Sequence, residues 1–517
     1  MNANLTQLRI TAREIFDETL RAVNAGDPVR RAVSLKASGL HICDAKINLS
    51  AQPKVYSIAI GKAAFAMASA LDEILSQNLT AGVITGNASG SGTARDRERM
   101  NVRRDAGEPQ ARPPQRGCAG DLGSMPALQR AHSSVSVPSR WRVFHGGHPE
   151  PNEQSLAAAQ ASFDLLERAD KEGSLVIFLI SGGGSAMIEW PISKDITLRD
   201  LRVANRTLVN SGASISEINS VRRTFSAVKG GRLAARGPHC PQVTLIISDV
   251  PPGEERNVAS GPTLTPAEDA PDAREVIARY HLRSHLPETV LHEIDAPPGP
   301  SGPLHSDCGS PRPHFVLLDN RSALEAAAEA ARRRGFVTEI AKDISEQSIE
   351  EGCSALLAGL KGLCQRADRE GTAHKTSNSV CLISGGEFAC PVKGDGIGGR
   401  NLETALRLAI KHHKQRANSQ TAAAERRDAP FVALCAGTDG LDGNSPAAGA
   451  IVDDTSVERA SAIGLEAEQS LKRSDAYPFF VALGDAITTG PTGTNVRDVR
   501  LLLATPGQFA AEPRSTR

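Results

Sequence analysis

Four apolar runs in this chain end abruptly in glycine or acid. Residues 175–180 lead into Ser181-Gly182-Gly183-Gly184-Ser185, and 380–383 into Ser384-Gly385-Gly386-Glu387. Residues 243–247 lead into Ser248-Asp249, and 431–435 into Ala436-Gly437-Thr438-Asp439-Gly440. Short runs without polar alternation predict buried strands. Between them the apolar spacing turns helical. Residues 55–60 read as a strand, Gly61 as a turn, and 62–75 as an Ala-rich helix with Lys62 in its first turn. A helical period over 155–169 precedes the 175–180 strand. After residue 313 come a strand at 314–318, a helix at 322–334 stopped by Gly335, and a strand at 336–341. This alternation predicts an α/β protein with mostly parallel sheets flanked by helices.

At 517 residues the chain exceeds one ordinary core, so two domains are expected. Residues 284–313 hold seven prolines and read as the connection between an N-terminal domain, 1–283, and a C-terminal domain, 314–504. Residues 87–140 contain nine arginines, no lysine and no aromatic residue. Such a segment buries too little apolar surface to offset its ordering entropy, so a disordered insertion is expected there, and a loose tail over 505–517.

Charge and cysteine usage narrow the classes. With 59 basic and 59 acidic residues the formal net charge is zero, which gives no support to a nucleic-acid partner. Acids interspersed among the arginines of 87–140 weaken that reading further. The nine cysteines form no CxxC pair, which argues against a disulfide framework or zinc site and for a reducing compartment. No apolar run approaches the roughly 20 residues of a membrane span, so no membrane partner is expected. Residues 7–23 have an amphipathic pattern, but Glu14, Asp17 and Glu18 argue against a transit peptide. A cytoplasmic protein is expected.

Three consecutive glycines permit positive φ and close backbone approach, and free N–H groups at the next helix start attract an anion. The chain carries further groups of this kind: Gly61-Lys62-Ala-Ala, Gly147-His148-Pro149, Asn219 with Arg222, Ser226 and Lys229-Gly-Gly, and Ala259-Ser-Gly-Pro-Thr263. Gly398-Gly399-Arg400-Asn401-Leu-Glu403, Gly437-Thr-Asp-Gly-Leu-Asp442-Gly and Gly490-Pro-Thr-Gly-Thr-Asn495 follow in order. Over about 8–86 and 141–504 these motifs resemble the glycerate 2-kinase family, whose C-terminal part is called the MOFRL domain. The resemblance implies a Rossmann-like N-terminal domain, a MOFRL α/β domain, and an active site in the cleft between them. It also implies magnesium and ATP-dependent phosphorylation of D-glycerate to 2-phosphoglycerate, with Lys62 and Arg400 as catalytic residues. A homodimer is compatible with it.

The residues must supply the parts phosphoryl transfer needs: positive charge on the phosphates, a metal and an oriented hydroxyl. Lys62 adds a point charge to a helix N-terminus and suits a phosphate or the glycerate carboxylate. No GxxxxGK[ST] motif is present, so this is not a P-loop. Arg400 follows a flexible Gly-rich loop and suits bidentate binding of the transferring group. Gly182, Gly183 and Gly184, with Ser181 and Ser185 as hydroxyl donors, form the expected phosphate cradle; tight packing is the alternative. Gly385, Gly386, Gly398, Gly399 and Asn401 join the nucleotide-binding set. Glu387, Asp439 and Asp442 fall at strand ends and are the candidate magnesium ligands, Asp442 being equally an ordinary turn residue. Asp249 is the candidate acceptor of the substrate's hydroxyl proton. Arg222 and Lys229 either hold the substrate carboxylate or are surface charges.

Three departures from the family pattern stand out. Pro251-Pro252-Gly253-Glu254 follows Ser-Asp-Val where the family continues with Gly-Asp, Asn444-Ser445-Pro446 replaces a usual acid, and the 87–140 insertion is added. The family has also carried a hydroxypyruvate reductase label, but no strand-coupled GxGxxG is evident. A binding protein that has lost its magnesium is the other alternative.

Overall fold

The computed structural model describes residues 3–36, 39–48, 54–86, 139–296, 312–371, 379–419 and 430–505. The expected insertion at 87–140 lies almost wholly outside these residues, as do half of the Pro-rich connection and most of the tail.

A small antiparallel sheet, β1 (Val33–Lys36), β2 (Gly39–Ile42) and β3 (Ala45–Ile47), precedes the first large sheet. That sheet holds β4 (Val55–Ile60), β5 (Leu79–Thr85), β6 (Trp141–Phe144), β7 (Leu175–Ser181), β8 (Gln242–Ile247) and β9 (His314–Leu318). Its order is β6-β5-β4-β7-β8-β9, and every pairing is parallel. Every residue of β4, β7 and β8 is buried, which explains why their sequences are mostly apolar with no polar alternation. Helix Glu153–Glu172 starts on a reciprocal cap between Asn152 and Ser155 and stops at Gly173 in the left-handed region, φ 61°.

The second large sheet comprises β10 (Val337–Ile340), β11 (Val380–Ser384), β12 (Phe431–Gly437), β13 (Gly449–Asp453), β14 (Ala486–Ile487) and β15 (Asp498–Ala504), in the order β10-β11-β15-β12-β13-β14. The α/β class holds, but parallel pairing here is confined to β10 with β11; the other four pairings are antiparallel. The last strand inserts between β11 and β12, running against both.

The sequence-based domain limits shift at both ends. Strand 314–318, expected to open the C-terminal domain, pairs with β8 and completes the first sheet. The crossing to the second sheet is therefore helix Asn320–Arg333, capped by Asp319 and Ser322, and not the Pro-rich stretch. The N-terminal helix Ala3–Ala22 also leaves its expected domain. Its Leu5, Leu8, Ala12, Ile15 and Phe16 share one core with Leu434, Val499 and Leu501 of the second sheet. Arg9 pairs with Asp453 and Asp485 at 2.5 Å each, and Glu18 pairs with Arg333 and Arg334 at 2.7 and 2.6 Å. An apolar stripe states that a helix must be covered, not by which sheet.

The topology places the chemistry. All strands of the first sheet end at one edge, so the segments after β4, β7 and β8 lie together. In the second sheet Ser384 faces Arg500 and Gly437 faces Asp498, so the ends of β11 and β12 meet the start of β15.

Candidate active site

The two edges face each other across a cleft of about 760 Å³. The first contributes Lys62, His148 and Pro149; the second contributes Glu387, Gly398 to Asn401, Asp439, Asp442, Asn495, Arg497 and Asp498. Lys62 Nζ donates to Asp439 Oδ2 at 2.7 Å, spanning the cleft. Asn495 Nδ2 donates to Asp249 Oδ2 at 3.3 Å as a second bridge.

The Lys62 turn is built by close approach. Gly61 has φ 113°, and a Cβ there would stand 2.3 Å from the Ser181 carbonyl oxygen. Ser181 Oγ accepts from the Ala63 N–H at 3.0 Å and donates to the Ile60 carbonyl at 3.1 Å. The Lys62 N–H donates to the Gly182 carbonyl at 2.9 Å. A Cβ on Gly182 would fall 1.9 Å from Asp249 Oδ2, and one on Gly184 would meet Ala259 and Ile60 at 2.8 Å. The Lys62 side chain covers Gly183. The triple glycine thus lets the protein's own loops close together. None of Ser181, Gly182, Gly183, Gly184 and Ser185 is among the residues lining the cleft, and what the loop does in this structure is support Lys62. Ser185 Oγ bonds Ser260 Oγ at 2.8 Å, and Ser260 donates to Asn219 Oδ1 at 2.7 Å.

Lys229 is not free to hold a substrate. It is fully buried against Glu189, which also accepts from Ser226 Oγ at 2.5 Å. Burial lowers the Lys229 pKa although Glu189 works against it. Arg222 is 5% exposed and donates through Nε to Asn205 Oδ1 at 2.9 Å; burial pulls its pKa down to about 10. Neither is the surface charge that helix position suggested.

Asp442 is likewise engaged. Its Oδ1 accepts from the Asn401 N–H at 3.0 Å and its Oδ2 from the Leu402 N–H at 2.8 Å, which caps helix Arg400–Ser419. Burial pushes its carboxyl up to about 7 against these amides. Asp442 therefore positions Arg400 and Asn401 and is a poor metal ligand. Gly399 is needed for the same contact, since a Cβ would meet the Asp442 carboxyl carbon at 2.4 Å. Gly385 and Gly386 do not line the cleft: the Gly386 N–H donates to Asn320 Oδ1 at 2.9 Å, which fixes the turn that presents Glu387.

Glu387 and Asp439 remain, each facing the cleft with one cationic partner. Glu387 Oε1 lies 3.2 Å from Arg400 Nη2, with 35% of its side chain exposed. Burial by the surrounding protein pushes its carboxyl up to about 7, with Arg400 opposing. Among the described residues no three His, Cys, Asp or Glu side chains are arranged to hold a metal ion. Magnesium uses one or two carboxylates beside phosphates and waters, and Glu387 and Asp439 fit that smaller demand. His148 is held neutral: desolvation and then the Lys62 charge lower its pKa to about 4. Burial raises the Asp249 pKa against the pull of Lys62.

Residues 11–295 match a family model described as a domain of unknown function, DUF4147, and residues 380–498 match the MOFRL family. A glycerate kinase from Rattus norvegicus is 31% identical over 96% of this chain and 93% of that protein. A glycerate 2-kinase from Pyrococcus horikoshii is 31% identical over 94% and 95%. The chain belongs to the glycerate 2-kinase family. The crystal structure of glycerate kinase from Thermotoga maritima superposes with a TM-score of 0.67 at 27% identity, covering 97% of this chain and all of that one. An Agrobacterium vitis relative with a provisional hydroxypyruvate reductase name is 35% identical over 74% of this chain and 81% of that protein.

The glycerate 2-kinase motifs read from the sequence omit the residue that binds Arg400 most closely. Asp498 accepts from Arg400 Nε at 2.7 Å and Asn401 Nδ2 at 2.8 Å. Beside it, fully buried Arg500 lies over the Phe388 ring at 3.6 Å and donates to the Gly385 and Gly386 carbonyls. The signal was available: β15 reads Asp-Val-Arg-Leu-Leu-Leu-Ala, and two charges alternating with apolar residues in a buried strand need partners.

Proposed function

We propose that this chain is a glycerate 2-kinase, transferring the terminal phosphoryl group of ATP to the 2-hydroxyl of D-glycerate. The observation that carries this reading is the meeting of Lys62 and Arg400, from two different sheets, in one cleft lined by carboxylates. Lys62 and Arg400 supply the positive charge on the transferring group, one as a point charge and one as a fork. Asn401, whose Oδ1 is buried without a hydrogen-bond partner, offers an acceptor at the cleft wall. Asp249 does not itself line the cleft; it stands behind Asn495, which bonds it at 3.3 Å, and would accept the hydroxyl proton only where the substrate reaches past that side chain. Magnesium, when bound with the nucleotide, neutralises phosphate charge, and Glu387 and Asp439 are the residues that would hold it. A cytoplasmic setting completes the reading; the seven described cysteines are all free, and among the described residues no helix is long and apolar enough to cross a membrane.

The test is phosphorus NMR of the protein with D-glycerate, ATP and magnesium. Magnesium-dependent 2-phosphoglycerate is the expected product. Appearance of 3-phosphoglycerate would overturn the position, and NADH oxidation by hydroxypyruvate without phosphoryl transfer would favour the reductase.

A further inference from the structure

Arg400 sits at the first turn of a helix after a glycine-rich loop, so its backbone alone would leave the guanidinium many rotamers. Three acids limit them. Asp442 fixes the start of the helix through backbone N–H groups, Glu387 lies 3.2 Å from Nη2, and Asp498 grips the side chain itself. The Asp498 contact is a two-point fork, Nε to Oδ2 at 2.7 Å and Nη2 to Oδ1 at 3.3 Å. This uses one edge of the planar guanidinium, and Nη1 has no hydrogen-bond partner among the described residues. The Arg400 side chain is 28% exposed, and the residue lines the cleft.

We propose that Asp498 is a positioning residue for phosphoryl transfer, holding Arg400 by one edge so that its free amino group is presented to the transferring phosphoryl. The proposal rests on the kinase reading for the word transfer, but not for the grip. Asp498 is suited to the task because it is itself immobile. Only 3% of its side chain is exposed, Asn401 Nδ2 donates to Oδ1 at 2.8 Å, and Arg500 Nη2 donates to Oδ2 at 3.3 Å. Burial would raise its carboxyl pKa, but Arg400, followed by Arg500 and Asn401, outweighs that and keeps it below the usual range. The charge needed for the fork is therefore present. Arg500 ties the same strand to the turn that carries Glu387, so one strand start registers both groups facing Arg400. A preorganised cation stabilises developing charge without reorganising during the reaction, and loosening it lowers kcat more than substrate affinity.

The experiment uses the full chain carrying D498N, R400K and the double substitution. Arginine-labelled protein is observed through its Nε–H NMR signals, with the Arg400 signal identified by its absence in R400K. The expected result is that D498N shifts or broadens the Arg400 signal, lowers kcat by about 30- to 300-fold with KM changed less than about threefold, and adds little to R400K. An unchanged Arg400 signal in folded D498N protein would overturn the proposal, as would losses that multiply in the double variant. If the signal moves but wild-type protein phosphorylates no glycerate, the kinase reading fails and the grip stands. If D498N does not fold, D498E provides the second arm: a displaced Arg400 signal with partial kcat supports positioning, and a wild-type signal refutes it.

Discussion

Two lysine–carboxylate pairs in this chain carry opposite meanings. Lys62 and Lys229 both precede small residues in glycine-rich motifs, and either suits an anion. Lys62 reaches Asp439 across the cleft with 23% and 17% of the two side chains exposed, while Lys229 and Glu189 are sealed at 1% and 0%. The first pair joins two sheets at a place ligands can enter. The second joins a loop to its own domain where nothing can enter. Charge type therefore says little about role until water access is known. A pair beside solvent can exchange its partner for a phosphate, whereas a buried pair has already been stripped of water and is held by its mutual attraction.

The largest expected effect that separates them is on turnover. Lys62→Met should lower kcat by about 10³-fold or more, equivalent to about 4 kcal/mol, with thermal unfolding nearly unchanged. A large fall in melting temperature with intact turnover would erase the contrast. Glu189→Gln should do the reverse, leaving Lys229 charged and unpaired and lowering stability by about 3–5 kcal/mol in urea unfolding. Asp439→Asn, removing the partner of Lys62, should cost less than about 1 kcal/mol in the same assay.

A last, comparably small effect reports the desolvation of His148 beside Lys62. His148 has a folded pKa lowered to about 4 from 6.5, so the unfolded chain binds its proton more tightly. Stability should rise with pH between those values and be complete above 6.5. His148→Gln should flatten that rise by about 1 kcal/mol, allowing for the imidazole's exposure to the cleft. Urea midpoints at pH 4.5 and 7 that differ equally in both proteins would show that folding does not lower the His148 pKa.

Local pattern was enough for β4, β7, β8 and β9 of the first sheet, for β10, β11 and β12 of the second, and for the turns that carry Lys62, Glu387, Arg400 and Asp439. Each is a buried run followed by a break, and hydrophobic burial acts on a few residues at a time. Pairing direction was not legible in the second sheet, because a strand buried on both faces reads the same beside a parallel or an antiparallel neighbour. Asp498 is not legible among the strand ends, because an inserted antiparallel strand brings its start to that edge. The glycines at 182–184 signalled close approach correctly, but sequence cannot name what approaches; it is Asp249, Lys62 and Ala259.

By itself the sequence determined the α/β class, the motif order of the family and the two candidate cations, Lys62 and Arg400, since these depend on residue type and short-range spacing. Only the tertiary structure decided which lysine meets water, which acid caps a helix and which holds Arg400. Those outcomes depend on desolvation and on distances between residues as far apart as Lys62 and Asp439, separated by 377 positions and joined at 2.7 Å.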